Sequence, residues 1–515
     1  MNDTEYEDAL EMSRTVLLFN PRPHPILRPT SVPLSLLCIS RFLDKDGYNI
    51  KIVSGSLYDN YFDIIRQTAA ESIVFGVSSM TGYQIYEGLK ASKVAKEANN
   101  KIKVIWGGWH PSLYPIQTLE NPLIDIVVKG QGEKAFYETV KRIEAAKNFE
   151  NIPGVYWKEN DKIYSNPDRQ LEPLDGMPPI PYHLVDIDKC IVETEYGHRT
   201  IDYISSYGCP YRCGFCSEPT VNKRRWVGLN AEAVVDDIEK LEKVFKIDAV
   251  SIIDSNFFIN INRVKAILQG MLDRKLTIRL GSLDGRAKQL AKADEELWEL
   301  LRATQCYSIL TGAESGSQEA LNIINKDISV EDTIKFAEKC HKYGIKVLFT
   351  TLVGIPIIGL TCEEIAKKTD EQIVATINMF DKVLSLDHRH RGMMFIFCSY
   401  PGTALYEDAV KLGFNSPKSL EEWSKFNFYE NHNPWVTEKQ SFFVVMLSSY
   451  IFMFLDSDTL KWVKGRIKNR LKRTMFVITF KILTIIAKLR WKYKFFAFPV
   501  DYHLFLLAKK RNKSI

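Results

Sequence analysis

Three closely spaced cysteines are the residues of this sequence best suited to chemistry. They stand in Gly208-Cys209-Pro210-Tyr211-Arg212-Cys213-Gly214-Phe215-Cys216, a C-x3-C-x2-C run. Soft thiolates on a short loop suit zinc or an iron–sulfur cluster. A structural zinc site wants a fourth ligand close by. No Cys or His follows Cys216 for about eighty residues, and the nearest upstream are Cys190 and His198. Three thiolates on a four-iron cube leave one iron open, and an amine with a carboxylate can chelate it. The other six cysteines (Cys38, Cys190, Cys306, Cys340, Cys362 and Cys398) are scattered and read as small buried apolar residues. Nine cysteines in 515 residues do not suggest a disulfide scaffold.

The elements that must position this loop form a second half of α/β alternation. Strands are expected at Thr200–Ser205, Ala249–Ile253, Thr277–Ser282, Tyr307–Thr311, Lys346–Leu352 and Met393–Phe397. Helices are expected at Ala231–Val244, Ile261–Arg274, Ala291–Ala303, Gln318–Ile323, Val330–Tyr343 and Glu363–Met379. Six such repeats fit a partial (β/α)6 barrel over 200–405. The cysteine run directly follows the first strand.

The first region, 14–148, alternates in the same way. Strands are expected at Thr15–Phe19, Asn49–Val53, Ser72–Ser78, Lys103–Gly107 and Asp125–Lys129, with helices at Val32–Asp46, Tyr83–Asn99 and Glu133–Ala146. This pattern predicts a Rossmann-like, doubly wound parallel sheet, which binds its ligand beyond the carboxyl ends of its strands. The turns there are Ser78-Ser79-Met80-Thr81-Gly82, Gly107-Gly108-Trp109-His110-Pro111 and Gly130-Gln131-Gly132-Glu133. Glycines in such turns let backbone approach a ligand. None is a G-x-G-x-x-G run, so a dinucleotide is not indicated. Residues 149–199 read as a linker with a short hairpin around Asn160-Asp161. Met177-Pro178-Pro179-Ile180-Pro181 excludes regular helix or central strand. Residues 406–515 read as a helical C-terminal region.

The cysteine run, with Phe215 before its last cysteine, resembles that of the radical S-adenosylmethionine enzymes. Further matches follow in that family's order: Pro181-Tyr182, Ser206-Tyr207-Gly208-Cys209, Arg224-Arg225, Asn230-Ala231-Glu232, Asp254-Ser255-Asn256-Phe257, Gly312-Ala313-Glu314-Ser315-Gly316-Ser317 and Pro401-Gly402-Thr403. The N-terminal region, with its Gly107-Gly108-Trp109-His110-Pro111 turn, resembles the cobalamin-binding domain fused to one branch of that family. The resemblance spans about residues 14–435.

That resemblance implies a [4Fe-4S] cluster on Cys209, Cys213 and Cys216, bound S-adenosylmethionine, cobalamin, and a reductant such as flavodoxin or ferredoxin. It implies a 5′-deoxyadenosyl radical and methyl transfer to an unactivated carbon. Ring formation, as in the anaerobic magnesium-protoporphyrin ester cyclase, is the alternative within the same branch. A zinc-stabilised interaction protein is the alternative outside it. For S-adenosylmethionine the implied contacts are Phe215, Asp254, Ser255, Asn256, Glu314 and Ser317, with Asp284 and Arg286 at a third strand end. For cobalamin they are Ser78, Met80, Thr81, Gly107, Gly108, His110, Gly130 and Glu133. There is no D-x-H-x-x-G motif, so no histidine is placed as a lower axial ligand.

Charge is distributed unevenly. The chain is net +5, yet Lys461 to Ile515 holds 16 Lys/Arg against one acid, Asp501. The remainder, with 52 basic and 62 acidic residues, is net negative. A basic tail points to a polyanionic surface. Its Trp462, Phe476, Phe480, Trp491, Tyr493, Phe495, Phe496 and Phe498 suit a membrane interface better than a phosphate-tracking groove; a helical cap packed on the barrel is the other reading. A membrane surface would favour a hydrophobic, lipid-like substrate, such as an isoprenoid, hopanoid or porphyrin. Met475–Ala487, interrupted by Lys481, is shorter than the roughly 20 apolar residues of a spanning helix. The acidic opening, Met1 to Leu10, does not resemble a secretory signal. The expected location is the cytoplasm, with a peripheral position on the inner face of the membrane.

Overall fold

The computed structural model describes residues 14–26, 29–427, 430–467 and 469–511. The acidic opening Met1 to Leu10 and the last four residues of the tail lie outside them.

Five β-rich runs of the first region pair in parallel as β1 (Thr15–Asn20), β2 (Asn49–Ser54), β3 (Ser72–Ser78), β4 (Lys103–Gly107) and β5 (Ile126–Val128), in the order β2-β1-β3-β4-β5. Helices Leu34–Lys45, Tyr83–Ala98 and Glu133–Glu144 form where expected, and a further helix, Tyr61–Ala69, links β2 to β3. β1 is buried along nearly its whole length, as a strand covered by helices on both faces must be. The strand order reverses between β1 and β3, which opens a crevice at their carboxyl ends.

The hairpin β6 (Val155–Glu159) and β7 (Lys162–Ser165) turns through Asn160 and Asp161, both with positive φ. It continues the first sheet rather than hanging free: β6 pairs antiparallel with β5. That antiparallel step makes the sheet mixed at this edge, and the two-residue turn sets β7 antiparallel to β6.

The second half forms an open barrel. β8 (Thr200–Tyr203), β11 (Ala249–Ile252) and β12 (Arg279–Gly281) make one parallel group; β13 (Leu283–Asp284), β14 (Ser308–Glu314), β15 (Lys346–Val353) and β16 (Arg391–Ile396) make the other. β12 and β13 are one run broken at Ser282, which has φ +57°. The six expected strands are therefore present, in an α/β fold of the expected class. A small antiparallel pair, β9 (Ser206–Gly208) with β10 (Trp226–Gly228), projects after β8. The helix expected at Ala291–Ala303 is two, Ala287–Ala291 and Glu295–Ala303, because Asp294 caps the second. The C-terminal region is helical, ending in Arg470–Tyr493 and Val500–Arg511. No helix among the described residues is long and apolar enough to cross a membrane.

Candidate functional site: the cysteine loop and the interdomain cavity

The cysteine loop is tied down from several sides. At its root, Gly208 has φ +83°, and a Cβ there would lie 2.1 Å from the Arg225 carbonyl oxygen, so only glycine fits. Asp254, at the end of β11, accepts from the backbone N–H of Ser205 and Ser206 (2.6 and 3.1 Å) and from both hydroxyls (2.6 Å each). Four hydrogen bonds saturate its carboxylate. In mid-loop the Gly214 N–H donates to the Ile324 carbonyl at 2.7 Å, and Leu405 N–H donates to the Gly214 carbonyl at 3.0 Å.

All three loop cysteines are free and partly exposed. Burial pushes the Cys209 thiol up to about 11 and the Cys216 thiol up to about 12, with Cys213 adding repulsion to each. Thiolates placed here need positive partners. Arg286 supplies one: its Nη1 is 3.8 Å from Cys213 Sγ, and its guanidinium stacks 3.9 Å over Tyr211. Its buried Nη2 has no partner among the described residues. A cube of iron ions fits this donor set. Among the described residues no three Cys, His, Asp or Glu side chains are grouped as one metal ion requires; two sulfurs on one zinc lie within about 4.6 Å of each other.

Beside the loop sits a buried ion pair. Lys326 Nζ donates to Glu314 Oε1 at 2.7 Å and lies 5.8 Å from the centre of the Phe215 ring. Glu314 ends β14 after a register shift against β15, with φ +57°. Such a bulge re-aims a side chain, and a non-glycine residue held at positive φ is a common mark of a functional site. Glu314 and Phe215 line a cavity of about 380 Å³ with Thr350, Leu352, Phe395 and Tyr400. Lys326 was not singled out from the sequence, since it follows a short helix with no motif around it. Asp284 lies in the same field, pushed up to about 7 by burial.

A larger cavity, about 550 Å³, lies between the two halves. Its N-terminal wall holds Asn20, Ser78, Met80, Gly107, Gly108, Gly130 and Glu133, at or just past the ends of β1, β3, β4 and β5. Its barrel wall holds Asp202, Ser206, Tyr207, Glu218, Ile253 and Ser255. Gly108 has φ +95°, and a Cβ there would sit 2.7 Å from the Ser79 carbonyl oxygen. Met80 and Ile253 remain 49% exposed inside this cleft, a ready apolar cover for a flat macrocycle. These features fit cobalamin.

Several expected contacts are occupied elsewhere. Thr81 and His110 are buried outside the cavity, with Thr81 Oγ1 3.0 Å from His110 Nδ1. The His110 ring packs edge-on against Tyr114 and Trp423, and burial pulls its pKa down to about 3. It stands in the core as a neutral histidine beside Thr81, with its buried Nε2 unpartnered among the described residues. Asp254 is spent on the Ser205–Ser206 turn. Asn256 accepts from the Phe258 N–H at 3.1 Å within its own turn. Ser317 caps helix Gln318–Ile323 through the Ala320 N–H. Asn256 and Ser317 act on local backbone, because a short polar side chain at a strand–helix turn finds its nearest donors there, whereas Asp254 ties β11 to the segment before the cysteine loop. Ser255 does line the large cavity, hydrogen-bonded to Glu218.

A flavodoxin-like sheet whose strand ends open onto a three-thiolate loop of a partial barrel defines a cluster enzyme with a second cofactor domain. Residues 203–369 match the Radical SAM superfamily, and residues 28–140 match the B12 binding domain. An uncharacterized methyltransferase of Pyrococcus horikoshii is 27% identical over 427 residues, spanning 81% of this chain and 87% of its own. The anaerobic magnesium-protoporphyrin IX monomethyl ester cyclase of Rubrivivax gelatinosus is 24% identical, spanning 63% of this chain and 59% of its own. The fold is shared with the radical S-adenosylmethionine methyltransferase TsrM from Kitasatospora setae, solved with cobalamin and a [4Fe-4S] cluster. The TM-score is 0.63 at 21% identity, over 78% of this chain and 75% of that one. The chain thus joins a B12-binding domain to a radical SAM domain, the make-up of a radical SAM enzyme.

Proposed function

We propose that the enzyme methylates an unactivated carbon of a hydrophobic substrate. The observation that carries this reading is the shared cavity: the strand ends of the B12-binding domain and the root of the cysteine loop are two walls of one space. When bound, the cluster with S-adenosylmethionine supplies reductive cleavage of a sulfonium, and cobalamin supplies a transferable methyl group.

The chain's residues have separate tasks in this reading. Cys209, Cys213 and Cys216 hold the cluster, and Arg286 offsets its negative charge. Glu314, fixed by Lys326, accepts hydrogen bonds from sugar hydroxyls. Ser78, Gly107, Gly108 and Gly130 let a corrin approach backbone, and Met80 with Ile253 covers its face. Among the described residues no histidine lines the large cavity, so its wall would offer cobalamin hydroxyl, backbone and apolar contacts rather than an imidazole. The apolar side chains of both cavities exclude water from the reacting centre, which suits a lipid-like or tetrapyrrole substrate. Each turnover would need two electrons, one for the sulfonium cleavage and one to restore cobalamin, from a donor of the flavodoxin or ferredoxin class. The basic, aromatic tail supports a cytoplasmic enzyme held at the membrane surface.

The test is anaerobic reconstitution with S-adenosylmethionine labelled in its methyl group, cobalamin and reductant. Formation of 5′-deoxyadenosine together with label in a hydrophobic product is expected. Formation of 5′-deoxyadenosine and an unlabelled, ring-closed product would favour a cyclase, the activity of the Rubrivivax relative. A fully iron-loaded protein that forms no 5′-deoxyadenosine overturns the reading.

A further inference from the structure

The C-terminal helix Arg470–Tyr493 has two apolar faces, and only one of them is used. Phe480 and Ala487 are buried. Phe480 packs on Phe454 with ring centres 4.6 Å apart, and Trp491 packs on Phe452 at 5.4 Å. This face docks the helix on the preceding C-terminal helices. The opposite face is also apolar. Leu471, Met475, Ile478, Ile482, Ile485 and Leu489 follow one another at steps of three or four, and each is 50–72% exposed. Tyr493, 67% exposed, continues the row. At about 100° per residue these side chains fall in one narrow stripe, about 33 Å long. Monomers rarely leave such a surface in water.

The borders of the stripe identify its partner. Lys481, Lys488 and Lys492 flank it on one side and Lys472 on the other, all exposed. The single acid of the tail, Asp501, is tied to Arg490 and accepts from Tyr450. A second copy of this helix would bring lysine against lysine, which disfavours self-pairing. An anionic surface with an apolar interior satisfies both the stripe and its borders.

We propose that the helix Arg470–Tyr493 lies on an anionic lipid bilayer, with the Leu471–Tyr493 stripe in the acyl boundary and the flanking lysines among the headgroups. This deepens the membrane reading given above and is independent of the radical chemistry.

The test is flotation of the full-length holoenzyme with vesicles of phosphatidylethanolamine and phosphatidylglycerol, against vesicles of phosphatidylcholine. Binding to the anionic vesicles, weakened by salt, is expected. The triple variant Ile478→Glu, Ile482→Glu and Ile485→Glu should bind at least about tenfold more weakly while still forming 5′-deoxyadenosine. Should that variant misfold, Lys481→Glu, Lys488→Glu and Lys492→Glu alters only exposed borders and should likewise lose anionic binding. Wild-type protein that ignores both vesicles overturns the membrane reading as a whole. Wild-type binding that survives in both variants assigns it to another surface and overturns this helix alone. A dimer in sedimentation that the isoleucine variant converts to monomer makes the stripe a seam between copies and overturns the proposal.

Discussion

The hydroxyl of Tyr207 donates a 2.8 Å hydrogen bond to the Glu133 carboxylate. Glu133 is the first residue of a helix in the B12-binding domain, and Tyr207 lies two residues before Cys209. Burial holds the Tyr207 pKa far above its ordinary value, so the phenol remains a donor. The bond ties the cobalamin wall of the cavity to the root of the cluster loop. Tyr207→Phe leaves a buried carboxylate without its partner, at a cost of about 1–3 kcal/mol. Urea denaturation of the holoenzyme should show this loss, and product formation should fall more than 5′-deoxyadenosine formation. An unchanged midpoint would show the link to be idle.

Cys213→Ala removes one of three cluster ligands. Iron content after anaerobic reconstitution should drop well below four per chain, and 5′-deoxyadenosine should disappear. Full iron loading with full activity would refute the ligand assignment.

Gly312→Ala tests the Glu314–Lys326 pair without changing any charge. A Cβ at Gly312 would lie 2.0 Å from Glu314 Oε1 and 2.7 Å from Lys326 Nζ, so the pair must move. S-adenosylmethionine binding, measured by calorimetry on iron-loaded protein, should weaken about tenfold, the size of one misplaced hydrogen bond to a charged group. Equal affinity would place the sugar elsewhere.

His110→Gln should leave cobalamin binding unchanged within about twofold, since an amide can replace the bond to Thr81. Neither wild type nor variant should show nitrogen hyperfine splitting from protein in the Co(II) EPR spectrum. Splitting that vanished in the variant would make His110 a ligand after all.

Asp202 faces the large cavity, and burial pushes its pKa up to about 6. The unfolded value is about 3.9, so between about pH 4 and 6 the native state keeps a proton that the unfolded chain has lost. Stability falls through that window as pH rises and stays lower above it. Asp202→Asn should flatten this slope and raise stability near pH 8 by up to about 3 kcal/mol. A wild-type slope persisting in the variant would assign the pH dependence to another group.

The tail shows how far pattern reading reaches. Its mix of Lys, Arg and aromatics fitted either a membrane helix or a packed cap. The structure shows that Arg470–Tyr493 packs through Phe480 and Trp491 while leaving a second apolar stripe in water. Composition cannot separate two faces of one helix that are both apolar; the packing partner, the 452–454 segment, does so.

Periodicity and turn chemistry are local, and they were enough for the two α/β halves, the Asn160-Asp161 hairpin and the cysteine loop. Covalent spacing alone keeps Cys209, Cys213 and Cys216 close together. Side-chain direction is not local. Thr81 and His110 sit in the same turns as Met80 and Gly108 yet bond each other in the core, and Asp254 turns back to Ser205 rather than outward. Lys326 meets Glu314 only because β14 bulges, and Tyr207 meets Glu133 only because the two domains dock. These buried polar groups take partners that folding brings within reach, and chain order does not specify those partners.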